Sequence, residues 1–393
     1  MNKPWPGSTE AMLPSQRALF DIPREVCFLN AASWSPLPRA SQEAGRIGVA
    51  RKGQPWKLDR DFAAGQHRRA REAAARLINA DPADVALISS VGYGVATAGK
   101  VLTVPAGARV LVLADDHSSP VLEWMTRAPC GGFAVEVVQR PDDGDWTAAV
   151  LAAIDRRGAP PLALVSISSV HWSDGGLVDL DRVAAAARAH GAALLVDATH
   201  SAGVLALDVR TLDPDFLVFP TYKWVLGPYG RAFLYVAKRR QDGEPLEQTS
   251  YGRRAIAAEQ VPYMADAAYV TGARRFDMGE RDHFISLEMA AIGMEMMARW
   301  GSAAVTARLR MLTDRFAAGL ADCAVEIAPP RVRAPHILSL SFPRGMPEGL
   351  TGQLAAEHVH VAQRLGRIRI SPHVYNDEAD TDRFVAAFRR LFV

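Results

Sequence analysis

Lys223 and Asp197 are the residues whose types and spacing are best suited to chemistry. Asp197 follows the apolar run 193–196, and Lys223 follows the run 216–219 together with Thr221 and Tyr222. Each run has the length and boundaries of a buried strand. In an α/β sheet, ligands sit beyond the carboxyl ends of the strands, so this amine and this carboxylate are expected to face one pocket. Alone, the aspartate reads as a helix cap and the lysine as a solvated surface group. Together they suit an aldehyde cofactor: a lysine holds it as a Schiff base, and a carboxylate keeps a pyridine nitrogen protonated. The cofactor with both needs is pyridoxal 5′-phosphate (PLP).

The elements that must position this pair follow from period and punctuation. Strand 85–88 runs into Ser89-Ser90-Val91-Gly92 and then a helix. Such a turn exposes free N–H groups at the positive end of the helix dipole, which suits a phosphate. Strand 109–113 ends at Asp115, Asp116, His117, Ser118 and Ser119, and strand 162–167 ends at Ser168, Ser169, Val170, His171 and Trp172. An amphipathic helix over 180–190 is closed by Gly191, and one more strand spans 231–236. Strands therefore alternate with helices from 85 to 236, the pattern of a mostly parallel sheet covered on both faces.

On either side the pattern changes. A Pro- and Ser-rich arm precedes a short strand at 26–29, a turn at Asn30-Ala31-Ala32-Ser33-Trp34, and helices from 38 and over 61–79. Segment 241–272 has no assignable period. Helices over 284–300 and up to about 320 follow, and Pro329 and Pro330 mark a linker. Strands at 337–342, 359–363 and 367–371 and a helix over 378–392 complete a smaller α+β unit. The expected division is a large α/β domain over 24–283 and a small domain formed by 1–23 and 284–393.

Composition narrows the class. A formal charge of +2 is too small to indicate nucleic acid as a partner, and no basic cluster is interleaved with aromatics. Cys27, Cys130 and Cys323 are too far apart for a metal-ligand or redox pair, so no metal is expected. No secretory leader is visible, and no apolar run approaches the roughly 20 residues that span a bilayer, so no membrane is expected. A cytoplasmic enzyme is the default.

VDATHSAG at 196–203 and FPTYKWVLGPYG at 219–230 closely resemble the class V aminotransferase family, which includes cysteine desulfurases, kynureninases and isopenicillin N epimerase-like enzymes. The resemblance runs over nearly the whole chain. It implies the PLP fold type I architecture and a homodimer whose subunits share each active site. It also implies roles. His117 stacks on the pyridine ring. Ser169 lies near the phenolic oxygen, where desulfurases have asparagine, and His200 tunes that oxygen. Ser90, Val91, Gly92 and Tyr222 hold the phosphate, and the loop with Asn30 and Trp34 borders the substrate entrance.

Two further segments resemble family motifs. RRFDMGERDHF is similar to an Arg-Phe-Glu-x-Gly-Thr segment that reaches the neighbouring subunit's phosphate. Glu280 replaces the threonine, so Arg274, Arg275 or Arg281 is the alternative contact. RIRISPHVYND resembles the kynureninase-type ending, in which an arginine forks onto the substrate α-carboxylate; Arg369 matches it and Arg364 is the second candidate. No cysteine follows Cys323, so the mobile thiol of cysteine desulfurases is missing. The expected function is a PLP-dependent enzyme acting on a small-molecule α-amino acid, aminotransferase-like first. A Cβ lyase or an epimerase is the alternative, and a non-catalytic ligand-binding protein is the reading from another class.

Overall fold

A computed structural model describes residues 12–254 and 267–392. After β1 (Cys27–Phe28), helices α1 (Arg39–Lys52) and α2 (Arg60–Leu77) lead to β2 (Val85–Ile88), α3 (Val91–Val101), β3 (Arg109–Leu113), α4 (Ser118–Gly131) and β4 (Ala134–Val138). Then come α5 (Trp146–Ile154), β5 (Leu162–Ser168), α6 (Leu180–Ala189), β6 (Ala193–Asp197), α7 (Val209–Leu212), β7 (Phe216–Pro220) and β8 (Ala232–Val236). The remainder holds α8 (Ser286–Trp300), α9 (Ser302–Gly319), β9 (Leu338–Leu340), α10 (Leu350–Ala356), β10 (Val359–His360), β11 (Ala362–Arg364), β12 (Arg367–Ile370) and α11 (Glu378–Phe392).

The large sheet has the order β2-β8-β7-β6-β5-β3-β4. Only β8 runs against its neighbours; the other pairings are parallel. Every residue of β2, β3, β6, β7 and β8 is buried, which is why these strands read as unbroken apolar runs. One face is covered by α2, α5, α6 and α8 through residues such as Ala74, Val150, Val183 and Met294. The other is covered by α3 and α4 through Val95, Ala98 and Trp124. This is the large, mostly parallel α/β domain of PLP fold type I.

The smaller α+β domain has an antiparallel sheet of order β11-β12-β9, packed with α9 and α11 through Leu312, Phe316, Phe384 and Phe388. β1 pairs in parallel with β10, and Cys27 and Leu29 belong to this second core. The boundary expected at residue 24 grouped them with the large sheet, whereas their contacts are with the small one. The run expected as one strand at 359–363 is split: β10 serves β1 and β11 serves β12. Periodicity reports that a stretch is extended, not which partner it finds. The unexpected α10 is seven residues long, too short for a helical period to stand out. Part of the unassigned segment 241–272 lies outside the described residues. None of the described helices is long and apolar enough to cross a membrane.

Candidate active site

The C-terminal ends of β2, β3, β5, β6 and β7 and the start of β8 share one edge of the large sheet, and each delivers a polar group there. In sheet order these are the N-terminus of α3, Arg231, Lys223, Asp197, Ser168 and the pair Asp116 and His117. A cavity of about 250 Å³ is lined by Ser90, Val91, Gly92, His117, Ser168, Asp197, His200, Tyr222, Lys223 and Arg231, among others. The groups that the sequence placed at separate strand ends thus converge.

Lys223 is buried, and burial, then the charge of Arg369, lowers its ammonium to about 8, with Asp197 pulling the other way. Its Nζ lies 3.5 Å from Nε2 of His200. His200 Nδ1 accepts the indole Nε1–H of Trp224 at 2.9 Å, and burial, then the Lys223 charge, holds the imidazole well below its usual range. The turn that carries the lysine is tightly wedged. Leu226 sits at φ +57, a conformation costly for a branched side chain, and a Cβ at Gly293 of α8 would come within 2.3 Å of the Val225 carbonyl oxygen. Only a glycine lets α8 approach this closely. Asp197 Oδ1 accepts both the Thr199 N–H at 2.9 Å and the Thr199 hydroxyl at 2.5 Å, which fixes the carboxylate at the cavity floor.

The residues fit PLP. Ser90 caps α3, its Oγ accepting the Tyr93 N–H at 3.1 Å, which leaves the Val91 and Gly92 N–H groups without intrahelical partners. A Cβ on Gly92 would enter the gap between the Ser90 and Ser119 hydroxyls, 3.8 and 3.7 Å away. Amine, carboxylate and anion cradle thus occupy one cavity, which is the donor set that an aldehyde, a pyridine nitrogen and a phosphate require.

Close enough for their charges to act on Lys223, Arg369 and Arg364 donate from Nη2 to the same Ser33 hydroxyl, at 2.7 and 2.9 Å. Arg369 also donates to the Trp172 carbonyl at 2.6 Å, and its buried Nε has no partner. Burial, then Arg364, lowers the Arg369 guanidinium to about 9. The N-terminal loop is tied in: Ser35 N–H donates to the Tyr222 carbonyl at 3.0 Å, and the Trp34 ring, 67 % exposed, lies 5.7 Å from that of Tyr229. Asn30 bridges to Ser371 and keeps a buried Oδ1 without a partner.

One expected residue is displaced. Ser169 turns away from the cavity and donates to the Ser201 hydroxyl at 2.6 Å, while Ser168 lines the cavity and donates to Asp116 Oδ1 at 2.8 Å. Successive residues of an extended chain face opposite sides, so it is Ser168, one position earlier, that faces the cavity. Burial, then the Asp197 charge, pushes Asp116 up to about 7. Of the alternatives to Glu280, Arg281 is ion-paired with Asp277, and Arg275 with Asp242 at 3.7 Å; Glu280 itself is exposed. Sequence reading missed Ser33, Asp116, Thr199, Trp224 and Arg231. Only Thr199, two residues after a carboxylate, carried a local signal, that of an Asx-type turn.

The family described as aminotransferase class-V matches residues 59–384. An uncharacterised aminotransferase of Bacillus subtilis is 27% identical over 386 residues, covering 94% of this chain and 95% of the relative. Isopenicillin N epimerase of Streptomyces clavuligerus is 30% identical over 306 residues, 76% of this chain and 75% of the relative. Among solved structures, the apo cysteine desulfurase of Thermococcus onnurineus superposes with a TM-score of 0.81 at 21% identity, covering 96% of this chain and 97% of that one. A cystine C-S lyase superposes with a TM-score of 0.83 at 18% identity, covering 94% and 99%. The chain belongs to the class-V aminotransferase family, and it is a PLP-dependent enzyme.

Proposed function

We propose that this enzyme is a lyase that releases a substituent from Cβ of an α-amino acid. The sequence placed transamination first. Relatives named as cysteine desulfurases and kynureninases favour the lyase instead. The observation that carries the proposal is that Lys223, lowered to about 8, lines the cavity as an amine able to take the Cα proton and, as the ammonium, return it to the leaving group.

Bound in this cavity, PLP makes the Cα–H bond of an amino acid acidic by delocalising the electron pair left behind. Each protein group then has a task. Lys223 Nζ, lowered to about 8, has a substantial neutral fraction near neutral pH and takes the Cα proton. Asp197 holds a proton on the ring nitrogen. His200 presents Nε2–H to the phenolic oxygen. Val91, Gly92, Ser90 and Tyr222 hold the phosphate. Arg369 orients the α-carboxylate, with Arg364 beside it. His117, which burial holds below the usual imidazole range, would lie against the ring face, and the Lys223 ammonium protonates the group that leaves with the Cβ bonding pair. The net change for X–CH2–CH(NH3+)–COO− and water is XH, pyruvate and ammonium.

No thiol takes part. Cys27 is buried with its Sγ on the Asp380 carbonyl, Cys130 ends α4 on the surface, and Cys323 follows α9, none of them lining the cavity. A leaving sulfur would therefore depart as a small molecule, not as a protein persulfide. The three unpaired cysteines suit a reducing, cytoplasmic setting. The Arg275–Arg281 region, similar to a segment that reaches a neighbouring phosphate, supports a homodimer, which light scattering will test.

Epimerisation is the second reading, favoured by the 30% identity with isopenicillin N epimerase. A panel of amino acids with Cβ substituents separates the outcomes. Equal amounts of pyruvate and ammonium support the lyase. Solvent deuterium at Cα with inversion and no ammonium would replace it with an epimerase, and a single turnover to a keto acid and pyridoxamine phosphate would restore transamination. No spectral response to any amino acid would sink catalysis altogether.

A further inference from the structure

Seven arginines among the described residues are buried. Five are ion-paired: Arg71 and Arg281 with Asp277, Arg109 with Glu136, Arg308 with Glu378 and Arg333 with Asp314. The two without a carboxylate are Arg369 and Arg231, and both stand at the active site. A buried guanidinium with no counter-ion is costly, so a fold that keeps one beside a ligand cavity is built for an anion. For Arg369 the anion is a substrate carboxylate. For Arg231 the position indicates a different one.

Arg231 is 4 % exposed and lines the cavity that holds Lys223. The antiparallel register pairs Ile88 with Ala232, so Arg231 continues opposite Ser89, where β2 turns into the N-terminus of α3. It therefore flanks the cradle formed by Ser90, Val91 and Gly92. Nε donates to the Ser286 hydroxyl at 2.6 Å, and Nη1 is 3.6 Å from Met278 Sδ. These are neutral contacts, and Nη2 has no partner among the described residues. Burial alone lowers the guanidinium, to about 10, with no neighbouring charge to oppose it.

We propose that Arg231 is the counter-ion of the cofactor phosphate and makes the site selective for PLP over unphosphorylated pyridoxal. The proposal rests on the cavity's being the PLP site. A phosphate monoester has its second pKa near about 6 and is largely dianionic at neutral pH. The helix N-terminus supplies only partial positive charge, equivalent to about half a unit. A full cation on the neighbouring strand completes the balance and disfavours protonation of the bound phosphate.

The test uses apo-protein prepared from the full-length holoenzyme, titrated with PLP and, separately, with pyridoxal. Arg231→Met should weaken PLP binding at least tenfold while leaving pyridoxal binding within about twofold, and Arg231→Lys should recover part of the loss. Equal weakening of both ligands would make Arg231 a structural prop, and no weakening of PLP would show that the phosphate is held without it; either overturns the proposal. If Arg231→Met does not fold, the wild type still decides. The phosphorus-31 resonance of bound PLP should not shift between about pH 5.5 and 8, whereas a titrating resonance counts against a dianion held by Arg231. A wild type that binds both aldehydes equally overturns the role of Arg231 alone, and one that binds neither overturns the cofactor site as well.

Discussion

The indole Nε1–H of Trp224 donates to Nδ1 of His200 at 2.9 Å, and this one contact decides which ring nitrogen of His200 carries the proton. Indole nitrogen is a donor only, so Nδ1 carries no proton. Burial, then the Lys223 and Arg369 charges, keep the ring neutral, and its single proton must sit on Nε2, 3.5 Å from the lysine amine. His336 and His373 of the small domain support the arrangement. They donate to the His200 and Trp224 carbonyls at 2.6 and 3.0 Å.

Trp224→Phe should therefore free the tautomer while preserving most of the packing. In wild-type protein with nitrogen-15 histidine, His200 should show a protonated Nε2 and an unprotonated Nδ1. The variant should show exchange between tautomers and, loaded with PLP, an absorbance titration moved to higher pH, because a phenolate loses a donor. His200→Gln combined with Trp224→Phe should be insensitive to position 224, since an amide donates without tautomerism. An unchanged His200 spectrum in Trp224→Phe would mean that the indole does not set the proton.

Arg369 should affect binding and basicity separately. Arg369→Lys keeps the charge and loses the fork, so amino-acid affinity should fall by about 10- to 100-fold, the worth of a charge-assisted pair. Arg369→Met also removes a repulsion that lowers Lys223, so the lysine pKa should rise above about 8. The rate of PLP capture by apo-protein, measured against pH, should then turn on at higher pH. A larger loss of affinity in Arg364→Lys would transfer the carboxylate to that residue.

Replacing Cys27, Cys130 and Cys323 together with serine should leave turnover within about threefold once folding is confirmed, because no thiol lines the cavity. Turnover lost in a folded, PLP-loaded variant would restore a protein persulfide to the mechanism.

Acid should destabilise the protein earlier than carboxylate titration alone predicts. Burial lowers His336 to about 3 and His171 and His373 to about 4. Unfolded histidines bind protons near about 6.5, so between that pH and about 4 the unfolded chain holds more protons and stability falls as pH falls. Each histidine contributes a slope of about 1.4 kcal/mol per pH unit in that window, with the full benefit present above it. Denaturant midpoints of the holoenzyme between pH 4 and 8 should show the slope, and His336→Gln, which keeps a donor without titrating, should reduce it by about one proton's worth. An unchanged slope in that variant would mean that His336 is already charged in the fold.

Much of the framework was legible locally. β2 and β3 span the residues their apolar runs indicated, and Gly191, at φ +67, ends the helix before β6 as a left-handed glycine should. That Lys223, Asp197 and the Ser90–Gly92 turn share one cavity was legible because each ends or follows a buried strand, and strand ends in a parallel sheet gather at one edge. Tertiary structure decided what depends on distant partners. Ser168, not Ser169, faces the cavity because the pleat sets which side each residue takes. Ser33 collects Arg364 and Arg369 from over 330 residues away. Trp224 adjoins Lys223 in sequence, yet its role is set by a histidine 24 residues earlier. Arg231 read as the first residue of a strand; only its burial without a carboxylate, in the cavity that also holds Lys223 and the N-terminus of α3, sets it apart. A charge's role depends on which charges surround it, and no local pattern of residues records that.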